Sequence, residues 1–174
     1  MGLFTSDNYQ DLKGLFLNQL RDLYDAEHRI ADVLPKMEAK AISTQLRDAF
    51  KKHLLETEEH IKRLDEVFVM LGVEAKREAC EACKGLIREG QEMLDATGSH
   101  YVIDAGLILS AQRVEHYEIA GYGGARALAL KLGLVDVAEI LEDTLDEEKD
   151  ADLTFTSIAE IEVNETAAKV VSNS

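Results

Sequence analysis

At 174 residues, with 46% hydrophobic and 30% charged side chains, the chain has the size and composition of one domain able to bury a core. Its 34 acidic residues against 19 basic ones give a formal charge of −15, which argues against nucleic acid as a main partner and adds weight to cation binding. No apolar run approaches the roughly 18 residues of a membrane-spanning helix, no secretory leader is evident, and two cysteines do not make a disulfide scaffold, so a cytoplasmic protein without a membrane partner is expected.

One proline and the lack of β-rich runs favour an all-α fold. Asp7 and Gln10 have the spacing of a capping box, which predicts a first helix running to about Met37. Its apolar stripe is Leu12, Leu15, Phe16, Leu20, Leu23, Ile30, Leu34 and Met37, with Glu27 in the gap on the same side. Pro35 is expected to kink or end the last turn. Ser43 or Thr44 caps a second helix that ends near Leu71, with Gly72 as the residue beyond it. The inward side of this helix carries polar groups at mid-length: His53, Glu56 or Thr57, and His60. A shorter third helix, about Arg77 to Ala96, has Cys80, Cys83 and Ile87 on its apolar side and fits a crossover between two antiparallel pairs.

Ser99 caps a fourth helix, about His100 to Lys131, on which Ala111, Glu115, Glu118, Tyr122 and Ala125 share a face. Gly121, Gly123 and Gly124 weaken it locally and permit close approach of a neighbour. A fifth helix from about Asp136 has the stripe Val137, Leu141, Leu145, Glu148, Asp152, Phe155. The bundle is expected over residues 1–163, with 164–174 a disordered tail.

A carboxylate in an apolar stripe is costly unless it is paired or binds a metal. Glu56 with His60, and Glu148 with Asp152, are four apart and point the same way on their helices. Together with Glu27 and Glu115 from two other helices they would converge in a four-helix core, where carboxylates bridge two cations. Glu118 is a seventh candidate ligand. An oxygen-rich, nitrogen-poor set suits two non-haem iron ions, with manganese or zinc as alternatives. The ordinary reading of each pair alone is a solvated surface; the coincidence on four helices favours metal.

The chain also resembles the YciF-type bacterial stress-response proteins, a branch of the ferritin-like superfamily. The resemblance runs from about Leu12 to Ile161. It is carried by Leu23-Tyr24-Asp25-Ala26-Glu27, His53-Leu54-Leu55-Glu56-Thr57, the stretch from Val114 to Gly123, and Thr144-Leu145-Asp146-Glu147-Glu148-Lys149 with Asp152. It implies a ferritin-like four-helix bundle with an additional shorter fifth helix, a homodimer, and a rubrerythrin-like metal site. The chain departs twice from the E-x-x-H pattern of that superfamily. The residue three after Glu56 is Glu59, with His60 one further, and the residue three after Glu148 is Ala151, with Asp152 one further. Reaction of a dinuclear site with dioxygen or peroxide is the activity implied, as a ferroxidase, peroxidase-like or catalase-like enzyme. A metal-binding or structural stress protein without turnover is the alternative.

His53 is read as a partner behind a ligand, and Tyr24, Tyr117 and Tyr122 as packing residues flanking the site. Cys80 and Cys83 are read as core residues, because a redox pair would more usually sit at a helix start with an exposed, low-pKa thiol. His28 and His116 fall off the stripes and are expected to be exposed.

Overall fold

The computed structural model describes residues 10–170. Five helices account for most of it: α1 (Leu12–Lys40), α2 (Thr44–Met70), α3 (Glu81–Asp95), α4 (His100–Lys131) and α5 (Val135–Ile158). A π-helical turn, Ala159–Val163, leads into the four-residue α6, Asn164–Ala167. No strand is present among the described residues. The α1–α2 pair and the α4–α5 pair pack side by side, α1 against α4 and α2 against α5, closing a four-helix bundle. The shorter α3 lies in the crossover and packs on α1 and α4. This is the predicted all-α, ferritin-like four-helix bundle with an additional shorter fifth helix.

The helix ends follow local chemistry. Asp11 caps α1, its carboxylate accepting the Gly14 N–H at 2.7 Å. The predicted cap, Asp7, lies outside the described residues. Pro35 does not end α1, which continues to Lys40. Pro35 sits on the exposed face, so water can take the carbonyl that its missing N–H leaves free. The Ser43 hydroxyl caps α2, and Gly72 takes the left-handed conformation after it (φ 66°). The buried Asp104 of α4 reaches the same α1–α2 corner and accepts the N–H groups of Ile42 and Ser43, the latter at 2.8 Å. It thereby ties the second hairpin to the first.

The third helix starts later than its periodicity suggested, at Glu81, with Cys80 as its N-cap. Leu12 and Leu15, expected in the buried stripe, are largely exposed at the start of α1. The expected tail begins with a helical turn, because the π-turn carries the chain on and buries Val163. Gly121 provides the close approach foreseen for it: a Cβ there would lie 2.8 Å from a methyl of Leu23 on α1. Gly124 faces open space.

Two apolar clusters fill the bundle. One gathers Ile30, Leu34, Leu46, Phe50, Leu107 and Phe155; the other gathers Phe16, Leu20, Leu64, Phe68, Tyr122 and Leu141. On each of the four long helices the polar residues fall between members of the two clusters: Glu27 between Leu23 and Ile30, His53 and His60 between Phe50 and Leu64, Glu115 and Glu118 between Ala111 and Tyr122, Glu148 between Leu145 and Ala151. The fold thus frames a polar layer at mid-bundle.

Candidate metal centre

The six residues of that layer are all buried, with at most 2% exposure. Their donor atoms form two groups that share Glu148: Glu27, His60 and Glu148 in one, and His53, Glu115, Glu118 and Glu148 in the other. Within each group the atoms lie within 4.8 Å of one another. His60 Nδ1 is 3.0 Å from Glu148 Oε1 and 3.4 Å from Glu27 Oε1. His53 Nε2 is 3.3 Å from Glu115 Oε1 and 3.9 Å from Glu148 Oε2.

Residues on α2, α4 and α5 hold these donors from behind. His60 Nε2 is 2.8 Å from Glu147 Oε2, and Glu147 in turn accepts both terminal nitrogens of Arg63, at 2.6 and 2.9 Å. Arg63 also donates to the Thr144 hydroxyl at 3.2 Å. With Nε2 engaged outward, His60 presents Nδ1 to the cluster, the arrangement by which a carboxylate orients a ligating imidazole. From α4, Tyr122 donates its hydroxyl to Oε1 of Glu27 on α1.

The electrostatics are those of buried carboxylates crowded around two imidazoles. Burial pushes Glu115 and Glu118 well above the usual carboxylate range, and Glu148 beside them adds to it. Burial also raises Glu27, although His60 opposes it. Burial works against Glu148 too, but His60 and His53 outweigh it and hold this carboxyl low. Burial alone would lower His60; Glu27 and Glu148 overcome it and push the imidazole up to about 11. Arg63 dominates at Glu147 and brings it down to about 2.

Most buried side-chain atoms without a hydrogen-bond partner belong to this layer: both oxygens of Glu118 and of Glu148, one each of Glu27 and Glu115, both ring nitrogens of His53, Nδ1 of His60 and the Thr57 hydroxyl. Buried polar atoms are rarely left unpaired, so such a concentration fits donors shaped for something other than one another. Four carboxylates and two imidazoles from four helices match the needs of a pair of dications: oxygen-rich ligation, and charge to offset the burial.

Of the seven residues singled out in the sequence, the fold brings five together: Glu27, His60, Glu115, Glu118 and Glu148. Glu56 and Asp152 are not among them. Glu56 is partly exposed and pairs with Lys52; its other oxygen is 3.7 Å from Nδ1 of His53. Asp152, also partly exposed, accepts a hydrogen bond from Gln112 at 3.0 Å and lies 3.5 Å from the exposed His116. Glu59 is exposed and paired with Lys62, which leaves His60 as the inward residue of the two. His53 occupies the place expected for Glu56. The signal was present in α2: Leu46, Phe50, His53, Thr57, His60, Leu64 and Val67 alternate steps of four and three, and Glu56 is off that line. Glu147 and Arg63 were not foreseen. His28, expected to be exposed, is partly buried against the Tyr24 ring.

A small, mostly apolar cavity between Ile30, Met37, Ile87, Gly90 and Val114 abuts Glu115. Among the described residues, no helix is long and apolar enough to cross a membrane.

A family model described as a domain of unknown function, DUF892, matches residues 11–168. Protein YciF of Escherichia coli (strain K12) is 39% identical over 161 residues, 92% of this chain and 97% of that protein. The crystal structure of the E. coli stress protein YciF superimposes with a TM-score of 0.87 over 90% of this chain and 99% of that one. YcfI of Rhodopseudomonas palustris, described with a provisional structural role, is 40% identical with a TM-score of 0.86 over the same shares. A protein from Xanthomonas campestris pv. campestris shares the fold at 18% identity, with a TM-score of 0.70 over 91% of this chain and 98% of that one.

Proposed function

The chain belongs to the DUF892 family and is a homologue of the E. coli stress protein YciF, and from that footing and the buried donor layer we propose that it is a stress protein whose core holds two divalent ions, iron or manganese, in a site that reacts with dioxygen or peroxide. The observation that carries this reading is Glu148. It is fully buried, without a hydrogen bond at either oxygen, and shared by the two donor groups. Glu27 and His60 would hold one cation and His53, Glu115 and Glu118 the other, with Glu148 available to both. Bound there, the ions supply a Lewis-acidic, redox-active site for an oxygen-containing oxidant. The residues around them orient His60 through Glu147, fix Glu27 through Tyr122, and keep the layer dry. The apolar cavity beside Glu115 gives a small oxidant room near the site. We further propose a cytoplasmic homodimer.

Metal analysis of natively isolated protein tests the site. Two ions per chain are expected, falling to none in Glu148→Ala and to one in Glu27→Ala. A full complement in Glu148→Ala sinks the proposal. Peroxide consumption by the loaded protein tests the reaction. A second reading is favoured by the enclosure of all six donors and by the structural role given to YcfI: a metal-holding stress protein without turnover. Bound metal with no peroxide or dioxygen consumption would select it.

A further inference from the structure

Cys80 and Cys83 take no part in the donor layer. They form a C-x-x-C whose first residue caps α3. Both are buried in the apolar cluster, as expected of core residues, but Cys80 stands at the helix start and not inside the helix. The Cys80 sulfur accepts the Cys83 N–H at 3.2 Å, so the two thiols stand on one turn at the positive end of a 15-residue helix, where an anionic sulfur is stabilised. The thiols are free, and neither has exposed surface.

Packing alone does not account for what surrounds them. The Cys80 sulfur is 2.9 Å from the Tyr117 hydroxyl, which donates to Asp22 at 2.6 Å. That chain gives the thiol proton a path outward. The Cys80 N–H is held by the buried Asp25 at 2.9 Å, and Asp25 also takes Arg29 and Arg77, fixing the end of the crossover against α1. Cys83 points its thiol at the Ala26 carbonyl, 3.9 Å away. The thiols are unequal. The hydrogen bond from Cys83 outweighs burial and brings Cys80 down to about 7, while Cys80 and burial together push Cys83 up. One is fitted to attack and the other to resolve.

We propose that Cys80 and Cys83 are a dithiol–disulfide redox site whose oxidant is a small hydroperoxide. The thiol proton of Cys80 leaves along Tyr117 and Asp22 as its sulfur attacks one peroxide oxygen. The O–O bond breaks, the departing hydroxide takes up a proton and leaves as water, and Cys80 is left as a sulfenic acid. Cys83 gives up its proton and attacks that sulfur, forming the S–S bond and breaking S–O. The second hydroxide, protonated, leaves as water. Two thiols are oxidised by two electrons and one hydrogen peroxide becomes two waters. With both sulfurs enclosed, only an oxidant little larger than water could reach them.

The test is intact-mass analysis of the reduced full-length protein after brief exposure to hydrogen peroxide, both as isolated and after removal of metal by chelation. The expected product is lighter by two hydrogens in both samples. Cys83→Ser should instead gain one oxygen at Cys80, trapped by dimedone. Tyr117→Phe, checked to be folded by circular dichroism, should slow disulfide formation about ten-fold or more. Native protein that keeps both thiols, or that adds oxygens without closing the bridge, overturns the proposal. So does bridging confined to the metal-loaded sample, since the oxidant would then be the metal site. Bridging in metal-free protein stands whether or not the metal reading does.

Discussion

His60 lies between two consecutive residues of α5: Glu148 is 3.0 Å from its Nδ1 and Glu147 is 2.8 Å from its Nε2. One imidazole therefore joins the buried layer to a half-exposed carboxylate clamped by Arg63. Glu147→Gln or Arg63→Ala should leave the helix content unchanged and weaken metal binding roughly 10–100-fold, the usual cost of removing the group that orients a ligating histidine. Titration of chelated protein with manganese or ferrous iron reads this directly; unchanged affinity in both variants would show that the clamp serves packing alone.

His53 and Glu56 differ by a single turn but not in what they face. His53 is 2% exposed and aims Nε2 at Glu115, while Glu56 leans on Lys52 at the rim. His53→Ala should therefore lose one of the two ions. Glu56→Ala should keep both with modestly weakened binding. The reverse order of effects would return Glu56 to the site.

The pH dependence of the metal-free protein has a sign. Glu27, Glu115 and Glu118 are raised chiefly by burial, so the native state holds protons there that the unfolded chain has released. That contribution falls as pH rises out of the ordinary carboxylate range. His60, held up to about 11 against burial by Glu27 and Glu148, adds stability that is lost as pH rises from the usual histidine range through about 11. Glu147, lowered to about 2 mainly by Arg63, acts only at the acid end, where its contribution is lost as pH falls. Between about pH 5 and pH 7, below the range in which the Cys80 thiol is mostly ionised, the melting temperature of chelated protein should thus decrease with rising pH. Bound dications replace those protons, so loading should flatten or reverse the trend. A chelated protein that grows more stable across that window would contradict the charge assignment.

Asp25 is 3% exposed and accepts hydrogen bonds from Arg29, Arg77 and the Cys80 N–H. Asp25→Ala strands that N–H and frees the end of the crossover. A loss of about 2 kcal/mol is expected, reduced from that of a fully buried pair because both arginines reach water. Urea unfolding with an unchanged slope measures it.

Helix number, order and crossover were legible because apolar spacing at 3.6 residues survives in α1, α2, α3 and α5, while α4 is a long apolar segment on most of its faces, with Val102 and Leu109 exposed. Glu27, Glu115, Glu118 and Glu148 were legible for the same reason: each interrupts an apolar stripe without leaving it. Helix α2 was harder. Several polar residues stand at its middle, and one step of register separates Glu56 from the line through His53, Thr57 and His60. The same slip placed Asp152 inward where Ala151 is buried. Glu147 with Arg63, and Cys80 with Tyr117, are partners from different helices, so no spacing along the chain announces them. The start of α3 was misread because the apolar periodicity of its helix does not mark the N-cap, which here is supplied by a thiol.

The polar layer is assembled from two hairpins that share little covalent connection. The α1–α2 hairpin brings Glu27, His53 and His60; the α4–α5 hairpin brings Glu115, Glu118 and Glu148. Residues 74–76, in the irregular part of the segment that joins them, are exposed. On the reading proposed above, every bound ion draws ligands from both hairpins. The ions would then act as a removable cross-link added to the apolar packing: a chain cut at 74–76 would hold its halves together more tightly while loaded than after they are withdrawn.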